Sequence, residues 1–236
     1  MLKLPTLVST VMSSYNSEKT ISASIESILN QSYKNIELLI IDDCSTDNSY
    51  EILKEYELKY DSINVFRNNK NIGLTKSLNI ILKKTKGKFI ARQDADDTSK
   101  KFRFENQLNF MNKFRLDACT TKAEIIQNNK IIPNLSYYLP NRMIINFKNP
   151  FIHGSLMIRN DVIKNLNYYD ERFYYAQDYK LMRDLIYSNY KIKIINQTLY
   201  NLNMENNISS KFKNEQAYFA NCVKNNIIPE PSKYTK

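Results

Sequence analysis

Glycine, histidine and tryptophan are scarce in this 236-residue chain, which has three glycines, one histidine and no tryptophan. Average glycine usage of about 7% would give roughly sixteen glycines. Dinucleotide-binding and P-loop proteins cradle phosphate groups with closely spaced glycines, and neither Gly-x-Gly-x-x-Gly nor Gly-x-x-x-x-Gly-Lys-Ser/Thr occurs here. A nucleotide would therefore need a different kind of site. We expect Gly73, Gly87 and Gly154 to hold backbone positions that other residues fit poorly.

Cysteines and long apolar runs are also few. Cys44, Cys119 and Cys222 are an odd number at long spacings, which fits buried thiols better than a disulfide framework or a zinc knuckle. No uncharged apolar stretch approaches the roughly 18 to 20 residues that cross a bilayer, and residues 1–5 lack the features of a signal peptide. We expect a cytoplasmic, globular protein.

Positive charge is in excess, with a formal net charge of +10. Residues 67–92 contain eight Lys or Arg and no Asp or Glu. An anionic partner and an ordinary solvated helix face both explain such a run, and both remain open. A nucleic-acid-binding module is disfavoured, because Phe66 and Phe89 are the only close aromatic residues and no recognisable binding motif is present.

Strand and helix patterns alternate in the first half of the chain. Strands are predicted at 7–13, 36–41, 63–66 and 88–91, and helices at 17–31, 50–60 and 74–84. This alternation predicts an α/β fold with a parallel sheet, in which ligands bind beyond the carboxyl ends of the strands. Polar residues at 13–16, 42–43 and 94–97 follow three of these strands, so we expect them to meet at one edge.

The alternation is lost after residue 97. We predict helices at 102–114 and 177–188, strands at 151–159 and 191–195, and short strands and loops between 116 and 150. The expected organisation is a single domain over residues 1–205, with two halves at 1–97 and 98–205. A polar tail, 206–236, follows, with one helix near 213–224.

Carboxylates are concentrated at two of the strand ends. Asp94, Asp96 and Asp97 directly follow a buried strand, where their mutual repulsion favours a hard divalent cation such as Mg²⁺ or Mn²⁺. Taken alone, Asp-x-Asp is also common in solvated turns. Asp42 and Asp43 end the second strand, where one carboxylate can accept a hydrogen bond from a base N–H and the other can cap the next helix; both can equally be caps.

Six segments in order resemble the motifs of family 2 glycosyltransferases. They are Val-Ser-Thr-Val-Met-Ser-Ser-Tyr-Asn (8–16), Ser-Ile-Leu-Asn-Gln-Ser-Tyr (27–33), Glu-Leu-Leu-Ile-Ile-Asp-Asp-Cys-Ser-Thr-Asp (37–47), Asn-Ile-Gly-Leu (71–74), Ser-Leu-Asn (77–79) and Gly-Lys-Phe-Ile-Ala-Arg-Gln-Asp-Ala-Asp-Asp (87–97). The resemblance is close over residues 7–110 and continues through 153–159 and 176–183. It implies a GT-A fold, with a Rossmann-like, mostly parallel central sheet flanked by helices and a smaller acceptor-side region. It also implies a nucleotide-sugar donor, a divalent metal and inversion at the anomeric carbon. On this resemblance, residues 1–97 are the nucleotide-sugar-binding half of the domain and residues 98–205 the acceptor-binding half.

The resemblance also assigns roles to individual residues. Nucleotide-sugar contacts are implied for Ser13, Tyr15, Asp43, Asn71, Gly73 and Asp94, with Asp43 at the base and Asp94 at the ribose or the metal's water shell. Asp96 is the implied metal ligand, and Asp178 the implied general base. His153 is a further candidate for the metal or the diphosphate, although a lone histidine beside glycine is as often a hydrogen-bonded core residue.

Three positions depart from the family pattern. Ser13 replaces a usual proline, Gln177 replaces a frequent glutamate and Met182 replaces a frequent tryptophan. Asp178 is therefore the one candidate base in its motif, and its alternative role is to cap the helix that follows.

The sequence thus predicts an inverting, metal-dependent glycosyltransferase. We expect a UDP-sugar donor, a glycan or lipid-linked acceptor of surface-polysaccharide or lipooligosaccharide biosynthesis, and peripheral attachment of the protein to an anionic membrane surface on its inner face. No nucleic-acid partner is expected. A sugar nucleotidylyltransferase is the alternative enzyme, disfavoured because residues 13–17 contain no glycine.

Overall fold

The structure of the chain is a computed structural model that describes residues 6–134, 139–205 and 212–230. The strands are β1 (Val8–Ser14), β2 (Ile36–Asp42), β3 (Ile63–Arg67), β4 (Phe89–Arg92), β5 (Thr98–Ser99), β6 (Ala118–Ile125), β7 (Lys130–Ile132), β8 (Met157–Arg159) and β9 (Ile192–Leu202). The helices are α1 (Ile21–Leu29), α2 (Ser49–Lys59), α3 (Leu74–Leu82), α4 (Arg103–Phe114), α5 (Asn141–Ile144), α6 (Asn160–Asn165), α7 (Gln177–Tyr187) and α8 (Lys213–Asn225). A 3₁₀ turn spans His153–Ser155.

The strands form one mixed sheet in the order β3-β2-β1-β4-β8-β6-β9-β5, with β7 paired to β6. The first four strands are parallel, as the alternating sequence pattern predicts. β8 runs antiparallel to both β4 and β6, and β6 is parallel to β9. The carboxyl ends of β1, β2 and β4 therefore lie along one edge of the sheet, where ligands bind in open α/β sheets.

Helices cover both faces of this sheet because successive strand residues point in opposite directions. Met12 and Ile40 pack with α1, α2 and α4 on one face. Their neighbours Val11 and Ile41 pack with α3, α7 and α8 on the other. The strands are buried on both sides, which explains why β2 has a continuous apolar run instead of alternation.

The segment expected to be a strand at 151–159 is different in the structure. Its first part forms the 3₁₀ turn, in which the Ile152 and His153 carbonyls accept hydrogen bonds from the Ser155 and Leu156 N–H groups. Only Met157–Arg159 is a strand. β9 is longer than the expected 191–195, because it continues along β6 beyond a register shift at Thr121 to Ala123.

α8 belongs to the core, although the sequence places it in a polar tail. Phe219, Cys222 and Val223 are buried in the same cluster as α3 and α7. The rest of that expected tail, residues 206–211 and 231–236, lies outside the described residues. Among the residues that are described, no helix is both long enough and apolar enough to cross a membrane.

Candidate active site

The loops that follow β1, β2 and β4 are joined to one another by hydrogen bonds. The Asp43 N–H donates to the Ser14 carbonyl at 2.8 Å, and the Gln93 N–H donates to the Val11 carbonyl at 3.1 Å. The Asn16 side-chain oxygen accepts a 2.9 Å hydrogen bond from the Thr46 N–H. The three polar clusters predicted to meet do so at this edge.

Asp43 fixes the loop that leads into α3. Its Oδ1 accepts hydrogen bonds from the Ile72 N–H at 2.9 Å and from Asn68 Nδ2 at 2.8 Å, and its Oδ2 accepts one from the Gly73 N–H at 2.8 Å. Asp43 therefore does not cap the helix that follows it, α2. Each carboxylate oxygen offers about two acceptor positions, so one position of Oδ2 is left for a ligand.

Asp42 is held in a local turn and does not cap α2 either. Its Oδ2 accepts a hydrogen bond from the Ser45 N–H at 3.1 Å and lies 3.2 Å from Arg67 Nε. Asp42 is fully buried and Asp43 is 3% exposed, so the two carboxylates are buried to a similar extent. Asp42 Oδ1 has no hydrogen-bond partner among the described residues.

Position 73 accommodates only glycine, for two reasons. Its φ is +87°, a left-handed conformation that L residues rarely adopt. A Cβ at this position would also lie 2.6 Å from the Tyr174 ring. The loop thus packs tightly between Asp43 and Tyr174.

The remaining expected nucleotide contacts lie around Asp43. Ser13 is partly buried near the end of β1, and the Tyr15 side chain just beyond it is 49% exposed. Asn71 is exposed and precedes the two residues whose N–H groups bind Asp43. The structure therefore brings these three residues into the segments next to Asp43.

The turn after β4 holds three carboxylates in different environments. Asp94 Oδ1 pairs with Arg92 at 2.5 Å. Asp97 is buried and accepts hydrogen bonds from the Asn203 N–H at 2.7 Å and from the Tyr200 hydroxyl. Asp96 is partly buried and receives no hydrogen bond or ion pair from any other described residue. Asp96 is therefore the carboxylate with free lone pairs.

Crowding changes the acidity of this turn. Burial, together with repulsion from Asp94, raises the pKa of the Asp96 carboxyl to about 6. Burial and repulsion from Asp94 and Asp96 raise the pKa of Asp97 well above its ordinary value. An additional positive charge would therefore stabilise the turn.

A divalent cation fits Asp96 in donor chemistry, because Mg²⁺ and Mn²⁺ bind carboxylate oxygens and commonly complete their coordination with substrate phosphates and water. Within the described residues, no group of three or more His, Cys, Asp or Glu side chains is arranged to hold a metal. A cation at this turn would thus take most of its ligands from a bound substrate and water.

His153 lies beside the same turn. A Cβ on the adjacent Gly154 would come within 2.5 Å of Asp94 Oδ2, so the two segments are in direct contact. His153 Nε2 is hydrogen-bonded to the Tyr169 hydroxyl at 2.7 Å. Burial, reinforced by the Arg92 charge, lowers the pKa of His153 to about 4, against opposing effects of Asp94 and Asp178. The imidazole is therefore neutral at pH 7, with one nitrogen already engaged.

Asp178 lies in the first turn of α7, opposite the carboxylate turn. Its Oδ2 accepts a 2.8 Å hydrogen bond from Asn149 Nδ2. No backbone N–H of α7 donates to its side chain in the part of the chain that the structure describes, so the geometry does not favour a capping role. Asp178 and Asp94 both act electrostatically on His153 and Tyr169, so the two carboxylates lie near the same pair of side chains.

The sequence interpretation missed several residues that shape this site. Tyr169 is held by Asn79 of α3, whose side-chain oxygen accepts the Tyr169 N–H at 3.0 Å. The Tyr200 hydroxyl accepts the Asp94 N–H at 3.2 Å. Asn149 contacts Asp178. The Ser-Leu-Asn segment at 77–79 was the only signal for any of these contacts, because Asn149, Tyr169 and Tyr200 come from distant parts of the chain.

Comparison with known proteins identifies the family. The family model described as "Glycosyl transferase family 2" matches residues 9–189. The putative glycosyltransferase EpsE of Bacillus subtilis is 38% identical over 169 residues, which cover 69% of this chain and 59% of that protein. The chain thus spans less than two thirds of EpsE.

A second relative and a solved structure agree with this match. The UDP-Glc:alpha-D-GlcNAc-diphosphoundecaprenol beta-1,3-glucosyltransferase WfgD of Escherichia coli is 34% identical over 213 residues, covering 88% of this chain and 81% of that protein. The mannosyltransferase PcManGT from Pyrobaculum calidifontis, solved with GDP-Man and Mn²⁺, has a TM-score of 0.74 at 15% identity, covering 96% of this chain and 66% of that one. This structural likeness establishes the fold, which is the expected GT-A fold. With a family model over most of its length, the chain belongs to glycosyl transferase family 2.

Proposed function

We propose that the protein is an inverting glycosyltransferase that moves a sugar from a UDP-sugar to a hydroxyl of a lipid-linked glycan in surface-polysaccharide biosynthesis. One observation carries the proposal. Asp43 and Asp96 follow strands that end at the ligand-binding edge of the sheet, and Asp178 acts on His153 and Tyr169 together with Asp94, which belongs to the same turn as Asp96. This arrangement supports assigning one carboxylate each to donor binding, leaving-group stabilisation and proton removal.

The donor end is built around Asp43. Its remaining acceptor position suits an N–H of a nucleotide base, while Ser13, Tyr15 and Asn71 line the surrounding pocket. Asp94, fixed by Arg92, contacts the ribose or the water around a cation. The proposal of UDP is supported by the relative WfgD, which is named as a UDP-Glc-dependent glucosyltransferase.

The diphosphate end is built around Asp96. Asp96 would hold a divalent cation, Mn²⁺ or Mg²⁺, and the bound cation would neutralise the negative charge that develops on the departing nucleoside diphosphate. Asp97 is already engaged by Asn203 and Tyr200, so it supports the turn instead of binding the ion. His153, with Nε2 bound to Tyr169, has its other ring nitrogen left for the diphosphate or the cation.

Asp178 is the best-placed general base. Transfer requires the acceptor hydroxyl to lose its proton as it attacks, and a positioned carboxylate takes that proton. The two alternative carboxylates are both occupied. Asp97 accepts hydrogen bonds from Asn203 and Tyr200, and Asp170 is bound in two places by the Arg172 guanidinium, at 2.9 and 2.7 Å.

The acceptor side suggests peripheral attachment to an anionic membrane. A groove of about 450 Å³ lies at the carboxyl-terminal end of α7, and the residues lining it include Phe114, Leu116, Arg142, Tyr190, Lys191 and Lys193. Next to it, Met143 and Phe147 are 46% and 67% exposed. Cations around exposed apolar side chains suit an anionic lipid surface. α7 connects this basic groove to Asp178, about 14 Å away at 1.5 Å per residue.

The test is a panel of nucleotide sugars incubated with Mn²⁺ and a diphosphate-lipid-linked sugar acceptor. We expect UDP release from a UDP-sugar, with inverted anomeric configuration in the product by NMR. Transfer of a nucleotidyl group, or retention of configuration, would contradict the proposal. Thermal stabilisation by each nucleotide, read on the same samples, reports donor binding independently of the acceptor.

A further inference from the structure

Asn149 makes two hydrogen bonds through its side chain. Its Oδ1 accepts the Phe151 N–H at 3.1 Å, and its Nδ2 donates to Asp178 Oδ2 at 2.8 Å. The two bonds use opposite ends of the amide. Because the Phe151 N–H can pair only with the oxygen, the nitrogen must face Asp178.

The local sequence explains why Asn149 is held firmly. Asn149-Pro150-Phe151 forms a turn in which the asparagine side chain accepts the N–H two residues later, and Pro150 restricts the backbone between them. Phe151 is 4% exposed and lies in the core that also contains α7. The amide is thus anchored from the protein interior.

Among the described residues, no positively charged side chain forms an ion pair with the Asp178 carboxylate. Asp178 acts electrostatically on two ionisable groups from neighbouring segments, His153 and Tyr169. Burial lowers the pKa of His153 to about 4 and raises the pKa of Tyr169, so both are neutral at pH 7. Lys180, on the same helix, is paired with Asp184 at 2.6 Å. The Asn149 amide is therefore the one hydrogen-bond donor to Asp178 among the described residues.

We propose that Asn149 is the positioning residue for the base: it holds Oδ2 of Asp178 and turns Oδ1 toward the acceptor hydroxyl. This inference rests on the proposed function, in which Asp178 removes the acceptor proton. Misplacement of a reacting group by about 1 Å costs on the order of 10² in rate.

The decisive variant is Asn149→Asp. Aspartate keeps an oxygen for the Phe151 N–H and so preserves the turn, but it removes the donor and places a negative charge beside Asp178. We expect kcat to fall about 10- to 100-fold, with a much smaller change in the KM of the UDP-sugar. UDP affinity and melting temperature should stay close to the wild-type values, which a merely structural role of Asn149 would not allow. Asn149→Ala should lower kcat similarly.

Asn146→Ala is the matched control, because Asn146 lies in the same segment and bonds to Arg142 and Tyr187 instead of Asp178. It should retain the wild-type kcat. The 236-residue chain is assayed with the UDP-sugar and acceptor that support turnover, and Asp178→Asn is measured in parallel. A wild-type kcat for Asn149→Asp, together with an inactive Asp178→Asn, would overturn the positioning role alone. Normal turnover by Asp178→Asn would overturn the proposed base, and with it this inference.

Discussion

Asp43 and Gly73 are joined by a 2.8 Å hydrogen bond from the glycine N–H to Oδ2 of the carboxylate. The bond ties the end of β2 to the first residue before α3, thirty positions along the chain. A residue expected to recognise a nucleotide base therefore also holds the loop that leads into α3. Substitution at Asp43 should consequently affect both ligand binding and stability.

Asp43→Ala removes the acceptor for three donors, the Ile72 and Gly73 N–H groups and Asn68 Nδ2. Each donor left unsatisfied costs about 1–3 kcal/mol where it is buried. We expect a loss of at least 2 kcal/mol in unfolding free energy by urea denaturation, and a donor KM that rises more than kcat falls. Asp61→Ala, at an exposed carboxylate after α2, is the control. An unchanged KM would limit Asp43 to supporting the loop.

Asp96→Asn should show how much the repulsion among the carboxylates after β4 lowers the stability of the protein when no cation is bound. The pKa of Asp96 in the folded protein, about 6, lies above the ordinary value of 3.8. The protonated Asp96 carboxyl therefore contributes fully to the unfolding free energy below about pH 4. That contribution is lost as the pH rises through 6 and the carboxyl ionises. In chelator, we expect the variant to melt like the wild type at pH 4 and about 2–4 °C higher at pH 7.5, the shift for about 1 kcal/mol. If the variant and the wild type melt at the same temperature at pH 7.5 as well as at pH 4, repulsion at Asp96 does not destabilise the protein.

The same variant should lose metal-dependent ligand binding. Calorimetry with UDP and Mn²⁺ is expected to show strong affinity for the wild type and a loss of at least tenfold for Asp96→Asn, since a charged ligand of a hard cation is removed. Asp61→Asn should bind as the wild type does. If Asp96→Asn keeps its Mn²⁺-dependent UDP affinity, Asp96 is not a metal ligand.

Phe219→Ala tests whether α8 is part of the fold. Phe219 is 2% exposed and packs edge-on against Phe173 and Tyr175, with ring centroids 6.3 and 5.7 Å apart. Truncating a buried phenylalanine costs about 3–5 kcal/mol, which lowers the melting temperature by about 6–20 °C in a chain of this size. Phe147→Ala, at a ring that is 67% exposed, should change it by less than about 2 °C. Equal effects of the two variants would show that α8 does not stabilise the core.

Charge reversal in the basic groove tests membrane attachment. Each basic side chain near an anionic surface contributes on the order of 1 kcal/mol. Lys191→Glu with Lys193→Glu should therefore reduce co-sedimentation with anionic phospholipid vesicles at least tenfold at low salt. Lys19→Glu with Lys59→Glu, the same charge change at exposed residues of the α1 and α2 region, should have a smaller effect. If the wild type co-sediments equally with neutral and with anionic vesicles, the groove is not a binding surface for anionic membranes.

The first half of the fold could be predicted because its signals are local. Each parallel strand is a short apolar run followed by a polar turn and an amphipathic helix, so the positions of Asp43 and Asp96 at strand ends follow from the sequence. In the second half, β6, β8 and β9 pair with strands that are distant in sequence. The apolar run at 151–159 predicts a strand, but Gly154 lies against Asp94 and Tyr200 and the chain turns there instead.

The candidate site could be predicted only where a single segment carries it. Asp94, Asp96 and Asp97 occur in one turn, whereas the partners of Asp178 and His153 come from other segments. Asn149 lies before a proline in a region with no regular pattern, and Tyr169 lies between two helices. Side chains that act through contacts of long sequence separation leave no periodic signal.

Turnover by Asp178→Asn is the most direct test of the account. The same UDP-sugar, acceptor and Mn²⁺ are used for the wild type, for Asp178→Asn and for Asp184→Asn, a carboxylate on the same helix that pairs with Lys180. We expect kcat to fall by about 10² to 10⁴ in Asp178→Asn, with UDP affinity and melting temperature unchanged, and to stay near the wild-type value in Asp184→Asn. A folded Asp178→Asn protein that turns over at the wild-type rate would contradict the assignment of the base and the mechanism built on it.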